Sequence, residues 1–181
     1  CLIYERLVLN KVDQIWAIAP NTYERLKTLS SAKISLMPTI VPKRKNAFNV
    51  KSKDIVFTGL LSWMENTDGL KWFLDNFWID IRKEFPKIKL HIIGQMAKDD
   101  LIEYLSGFKG VELHGYVKDL EDIYKKSAIA IAPILINSGI KVKILTYLSY
   151  GLPVVSTNQA TWGLSSNNGI EATSEKEFGK G

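Results

Sequence analysis

The chain has 181 residues, 46% of them hydrophobic and 24% charged, with a net charge of +5. This is an ordinary globular composition, enough for one domain or one domain with part of another. Its single cysteine, Cys1, excludes an internal disulfide and fits a reducing, cytoplasmic compartment. No apolar run approaches the length of a membrane span, and no signal peptide, internal repeat or low-complexity tract is visible. The modest positive charge favours anionic small molecules, acidic lipid surfaces or nucleic acid without choosing among them. The one basic cluster, Lys43-Arg44-Lys45 with Lys51 and Lys53, reads as a solvated linker rather than a nucleic-acid grip.

Leu2 to Val12 has helical spacing that is already under way at Cys1, so the chain looks like a trimmed piece of a longer protein. Gln14 to Ala19 reads as a strand closed by Pro20. Asn21 is then placed to cap a helix through Tyr23, Leu26 and Leu29, with Glu24 completing a capping box. Ile34 to Met37 alternates as a strand. From Pro38 to Lys53 the composition shifts to Pro, Lys, Asn and Ser, which marks a linker.

A second series follows. Asp54 to Thr58, Lys89 to Ile93 and Val111 to His114 read as strands that end on Gly59, Gly94 and Gly115. Between them lie helices at Asp68 to Phe85 and Asp99 to Leu105. A helix at Lys118 to Lys126, begun by Asp119, Glu121 and Asp122, leads into the strand Ala128 to Ala132. A glycine turn at Gly139, a short helix, a stop at Gly151 and the strand Val154 to Thr157 complete five strands in alternation with helices.

Strands apolar on both faces and joined by helices predict a parallel sheet covered on both sides, a Rossmann-like doubly wound α/β layer. Ligands of such sheets bind beyond the carboxyl ends of the strands. The three glycines at those ends suit close backbone approach to a ligand, and equally suit tight turns with no ligand. His91 and His114 fall within strands, where packing is the simpler role, and they show no metal-ligand spacing with a cysteine or carboxylate motif. Trp63, Trp72 and Trp78 have spacing that suits packing between helix and sheet. No P-loop, complete GxGxxG or nucleophile elbow is present.

Several segments together resemble the C-terminal, donor-binding domain of GT-B glycosyltransferases of the retaining family 4 type. They are Val56 to Trp63, Asn66 to Leu74, Leu90 to Gly94, Val111 to Val117 and Gly139 to Thr157, in matching order and spacing over residues 54–173. Tyr4-Glu5-Arg6 and Asp13 to Ala19 resemble the end of that family's N-terminal domain. The resemblance implies residues 1–42 as the tail of an acceptor domain, 43–53 as a linker and 54–181 as a donor domain cut short at its C-terminus. It implies transfer of a sugar from a nucleotide-diphosphate sugar, with retention, to a glycan or lipid-linked acceptor held by a missing N-terminal domain. It further implies no bound cofactor or metal, no nucleic acid, and peripheral contact with the inner membrane face. The isolated piece is expected to be inactive, because catalysis needs the cleft between two domains.

By the same resemblance the donor diphosphate is held by Gly59, Ser62, Ser138, Gly139, Ile140, Lys141, Lys143 and Thr146, and the base by Gly115, Tyr116 and Val117. No catalytic residue is identified. Ser138 and Thr146 stand where the family carries two glutamates, the second of which binds the ribose hydroxyls, and a threonine offers one short arm in place of a charged acceptor. Leu60 and Asp68 stand where many members carry Arg and Lys. Lys141 and Lys143, two positions apart on a helix beginning near Gly139, are expected to point to different sides, leaving one for the phosphate. The alternative is a degenerate, non-catalytic binding or scaffold module, and Thr146 is the residue on which the two readings divide.

Overall fold

A computed structural model describes residues 7–9, 11–44, 51–136, 139–164, 170–173 and 178. Near the N-terminus, β1 (Gln14–Ala17) and β2 (Lys33–Leu36) form a two-stranded parallel sheet joined by α1 (Pro20–Lys27). The predicted capping box does not form. Pro20 opens α1, where its fixed φ suits the first helical position, and Ala19 takes the cap. The Asn21 carboxamide instead accepts from the Thr22 N–H at 3.0 Å.

After a stretch without regular elements among the described residues of 37–53, the main sheet begins with β3 (Asp54–Thr58). It continues through β4 (Leu90–Ile93), β5 (Val111–Gly115), β6 (Ser127–Ala132), β7 (Val154–Thr157) and β8 (Ile170–Thr173). All neighbours are parallel, in the order β5-β4-β3-β6-β7-β8, so among the described residues the sheet has six strands rather than five. The fold is the Rossmann-like doubly wound layer that the sequence pattern predicts.

Helices cover both faces, because the strands alternate two apolar sets. Ile55, Phe57, Leu90 and Ile92 pack with α2 (Met64–Phe73) and α4 (Asp99–Ser106). Helix α2 runs on through a π-helical turn at Leu74–Trp78 into α3 (Ile79–Glu84), so this helix starts four residues before the predicted Asp68. Trp78 is buried there and donates its indole N–H to the Lys109 carbonyl at 3.1 Å, whereas Trp63 is largely exposed and does not pack as expected. On the other face, Val56, Ile93, Ala130 and Val154 pack with α5 (Glu121–Lys126) and α6 (Val142–Ser149). Asp119 accepts from the Glu121 N–H at 2.9 Å, the predicted start of α5.

Helix α6 ends as its glycine predicts. The Gly151 N–H donates to the Leu148 carbonyl and the Leu152 N–H to the Tyr147 carbonyl, a Schellman closure. The Arg44 backbone N–H also reaches this end, bonded to the Ser149 carbonyl at 3.0 Å, while Arg44 itself remains exposed.

Helix α2 lies so close to the segment after β6 that a Cβ on Gly69 would meet the Pro133 carbonyl oxygen at 1.7 Å. Backbone cannot yield cheaply, so Gly69→Ala is expected to lower stability by about 2 kcal/mol, despite alanine's better helix propensity. Urea unfolding of the two proteins measures this.

Candidate functional site

The strand order reverses between β3 and β6, which makes the gap beyond their carboxyl ends the switch point of the sheet. Pairing of β3 with β6 runs only from Asp54 to Val56. The Thr58 N–H beyond it donates to the Tyr147 phenol oxygen at 2.7 Å, and the Thr58 hydroxyl donates to the same atom at 2.9 Å. Burial pushes the Tyr147 phenol up to about 12, so it stays neutral. This contact fixes α6 against the end of β3 with the helix N-terminus facing the gap.

Both lysines at that N-terminus turn to the same neighbourhood, contrary to expectation. Helix α6 begins at Val142, so Lys141 is its cap residue in extended conformation and the helical spacing rule does not apply to it. The Lys141 ammonium donates to the Glu65 carboxylate at 2.8 Å, and its side chain is 7% exposed. The Lys143 ammonium donates to the Asn66 side-chain oxygen at 2.5 Å and lies 4.3 Å from the Phe57 ring centroid. Asn66 in turn donates to the Leu60 carbonyl at 2.9 Å, tying the loop after β3 to α2. Burial is the main cause that lowers the Lys143 ammonium to about 7; nearby Glu65 opposes the shift and Lys141 adds to it.

The three strand-end glycines now have three separate reasons. A Cβ on Gly59 would meet the Lys143 ammonium and the Asn66 side chain, each at 2.9 Å, so Gly59 makes room for the lysine. One on Gly94 would meet the Gly59 carbonyl oxygen at 2.0 Å, which is packing between strand ends. Gly115 has open space but a φ of +63°, so its backbone conformation requires it.

Gly59, Gly115, Tyr116 and Val117 line one cleft of about 270 Å³ with Thr58, Gly94 and Gln95. Tyr116 is 68% exposed, which leaves much of its ring open to solvent. Ser62 lies in the turn after β3, where its hydroxyl is 4.0 Å from the Met96 sulfur. Gly139 forms the turn before α6 with a φ of +92°. Ile140 departs from expectation: its side chain lines a separate cleft with Ile18, Pro20 and Leu36, on the side of the small sheet. Thr146 turns its hydroxyl back to the Val142 carbonyl at 3.0 Å. Ser138 lies outside the described residues. A larger cavity of about 390 Å³ lies beside α2, α3 and strands β3, β6 and β7, but its mostly aliphatic and aromatic lining brings no set of polar groups together.

Glu65 and Asn66 are the residues that sequence reasoning missed. Asn66 opens the resembling segment Asn66 to Leu74, and its place two residues into α2 was the available signal.

The architecture is shared with known enzymes. The structure of TarM covers 98% of this chain and 36% of its own at a TM-score of 0.75 and 12% identity. That of WaaG, a glycosyltransferase involved in lipopolysaccharide biosynthesis, covers 98% and 55% at 0.69 and 14%. That of the pneumococcal O-GlcNAc transferase GtfA in complex with UDP and GlcNAc covers 98% and 38% at 0.69 and 16%. The fold is therefore that of the GT-B C-terminal domain. Residues 52–177 match the family described as glycosyl transferases group 1, and the chain belongs to that family. A curated relative from Klebsiella pneumoniae, an uncharacterized 44.6 kDa protein in the cps region, is 29% identical over 156 residues. The match takes in 81% of this chain but only 40% of that protein.

The depressed Lys143 ammonium has a signed consequence. From about pH 7 to 10.5 the unfolded chain holds a proton that the folded chain has lost, so this group makes stability rise with pH across that window. The unfolding free energy of the wild type relative to Lys143→Met is expected to increase between about pH 7 and about pH 9.5. Paired urea titrations at the two pH values check the sign.

Proposed function

We propose that this chain is the donor half of a retaining glycosyltransferase, binding the diphosphate of a nucleotide sugar at the gap between β3 and β6. The observation that carries the reading is the convergence of Lys141 and Lys143 beside Gly59, where the N-termini of α2 and α6 meet. Backbone N–H groups and cations at helix N-termini suit an anion, and they stabilise a leaving diphosphate as its charge develops. Of the two lysines, Lys143 is the better placed, since its ammonium bonds the neutral Asn66 carboxamide while Lys141 is ion-paired to Glu65. Exposed Tyr116 offers a ring for the base, with Gly115 and Val117 as the floor beside it.

Residues 1–42 are read as the end of the acceptor domain, 43–53 as the linker and 54–181 as the donor domain. The acceptor is a glycan or a lipid-linked precursor, the class to which the lipopolysaccharide in whose biosynthesis WaaG is involved belongs. Membrane contact is proposed as peripheral; no helix among the described residues is long and apolar enough to cross a bilayer.

Calorimetric titration of the full chain with UDP, GDP and ADP tests the donor site. One of them is expected to bind, and Lys143→Met to weaken it about 10–100-fold through loss of a charge-assisted contact. Gly59→Ala, which displaces the same ammonium, is expected to act in the same direction. Binding above pH 7 should take up a proton, seen as a dependence of the heat on buffer ionisation enthalpy. Failure of all three nucleotides to bind overturns the donor reading. It leaves the non-catalytic scaffold module, which the Thr146 hydroxyl, bonded back to the Val142 carbonyl of its own helix, favours. For a protein that does turn over, proton NMR of the product reads retention or inversion at the anomeric carbon directly.

A further inference from the structure

A second cluster lies near the start of the sheet, away from the switch point. His91 on β4 stands opposite Glu112 on β5 in the strand register. Asp54 on β3 lies two residues before Val56, the register partner of His91, so strand alternation puts it on the same face. The β4–β5 ladder then skips a residue: Ile92 pairs with Leu113 and Ile93 with Gly115, leaving His114 as the extra residue of a bulge. Bulges re-aim side chains. Here the imidazole Nε2 of His114 comes to 2.9 Å from Nδ1 of His91. The Glu112 Oε2 atom is 3.3 Å from His91 Nδ1 and 3.9 Å from His114 Nε2.

From this arrangement we infer that His91, Glu112 and His114 form a binding site for a divalent transition metal of the zinc class. Two imidazole nitrogens and one carboxylate oxygen are a common three-ligand set for zinc. Metal–ligand distances of about 2.0–2.1 Å in a tetrahedron place ligand atoms about 3.3 Å apart. The observed separations of 2.9, 3.3 and 3.9 Å bracket that value. The remaining polar contacts supply an outer shell. His91 Nε2 lies 3.2 Å from the Asp54 carboxylate, so a proton held there leaves the Nδ1 lone pair facing the other two ligand atoms. Glu112 Oε1 is held by the Lys89 ammonium at 2.7 Å, which leaves Oε2 to turn inward.

A lone hydrogen-bonded proton is the competing occupant. With His91 donating through Nε2 to Asp54, three acceptor-capable atoms converge, and one N–H of His114 can serve only one of the other two. A metal ion satisfies all three. His91 is buried, while the His114 and Glu112 side chains are 29% and 39% exposed, giving an entry path and room for a solvent ligand in the fourth position. Lys89, and Lys126 within electrostatic range of His114, are the cations that an incoming ion must tolerate.

The test is titration of the full chain with Zn²⁺ and with Co²⁺, whose visible absorption reports tetrahedral nitrogen and oxygen ligation, with Mg²⁺ as a control. One equivalent of Zn²⁺ or Co²⁺ is expected to bind. At a 100-fold excess over the dissociation constant, Zn²⁺ should raise Tm by about 5–10 °C. His114→Ala and Glu112→Gln, both at partly exposed positions, should abolish binding while keeping the far-ultraviolet circular dichroism of the wild type. Asp54→Asn should weaken binding about 10–100-fold as an outer-shell change, and Lys89→Met should leave it intact or tighten it. Absence of stoichiometric binding overturns the site, as does binding that survives both His114→Ala and Glu112→Gln. These outcomes are independent of nucleotide binding at the switch point.

Discussion

One phenol oxygen caps the end of β3 where it parts from β6. Two strands of a parallel sheet that diverge at a switch point leave backbone donors without a strand partner, and a buried orphan N–H is costly. Tyr147 meets that requirement for Thr58 from a helix rather than from a strand, with both the N–H and the side-chain hydroxyl of Thr58 donating to it. The ends of β3 and β6 therefore stay apart. The same contact sets the rotation of α6 and brings the residues just before and inside its first turn over the gap. Gly69 acts from the other side of the sheet, letting α2 settle directly on the Pro133 carbonyl. The two helix N-termini face each other because these two contacts hold them there.

Placing lysines at helix N-termini runs against the helix dipole, and burying them runs against hydration. The structure offsets these effects differently for each. Lys141 has a carboxylate within 2.8 Å. Lys143 has an amide oxygen and an aromatic face, a softer arrangement that leaves its proton weakly held near neutrality. A group poised in this way responds to an arriving anion by regaining its proton. The electrostatics of the gap are thus conditional on what occupies it.

Much of the fold was legible because its signals are local. Two-sided apolar strands, strand-end glycines and the stop at Gly151 each act over a few residues, and each was realised. The misreadings arose where a neighbour changed the local rule. Pro20 displaced the Asn21 capping box by fixing φ at the first helical position. Lys141 escaped helical spacing because α6 begins one residue after it. The convergence of His91, Glu112 and His114 could not be read from spacing, since the first two lie 21 positions apart and a bulge supplies the third. The roles of Glu65 and Asn66 depend on contacts with residues 76 and 77 positions away, which no periodicity encodes.

The bulge at His114 also bears on association between molecules. Strand β5 is one edge of the six-stranded sheet, and an edge strand presents unpaired backbone groups to any other extended chain. Flat, regular, apolar edges recruit such partners and seed aggregation. Here the edge carries Glu112 and His114, its ladder is broken by one extra residue, and Gly115 at its end takes a left-handed φ. A second strand docking along β5 would meet a carboxylate, an imidazole and a local change of register within four residues. The irregularity that gathers the cluster therefore also makes this edge a poor template for growth of the sheet.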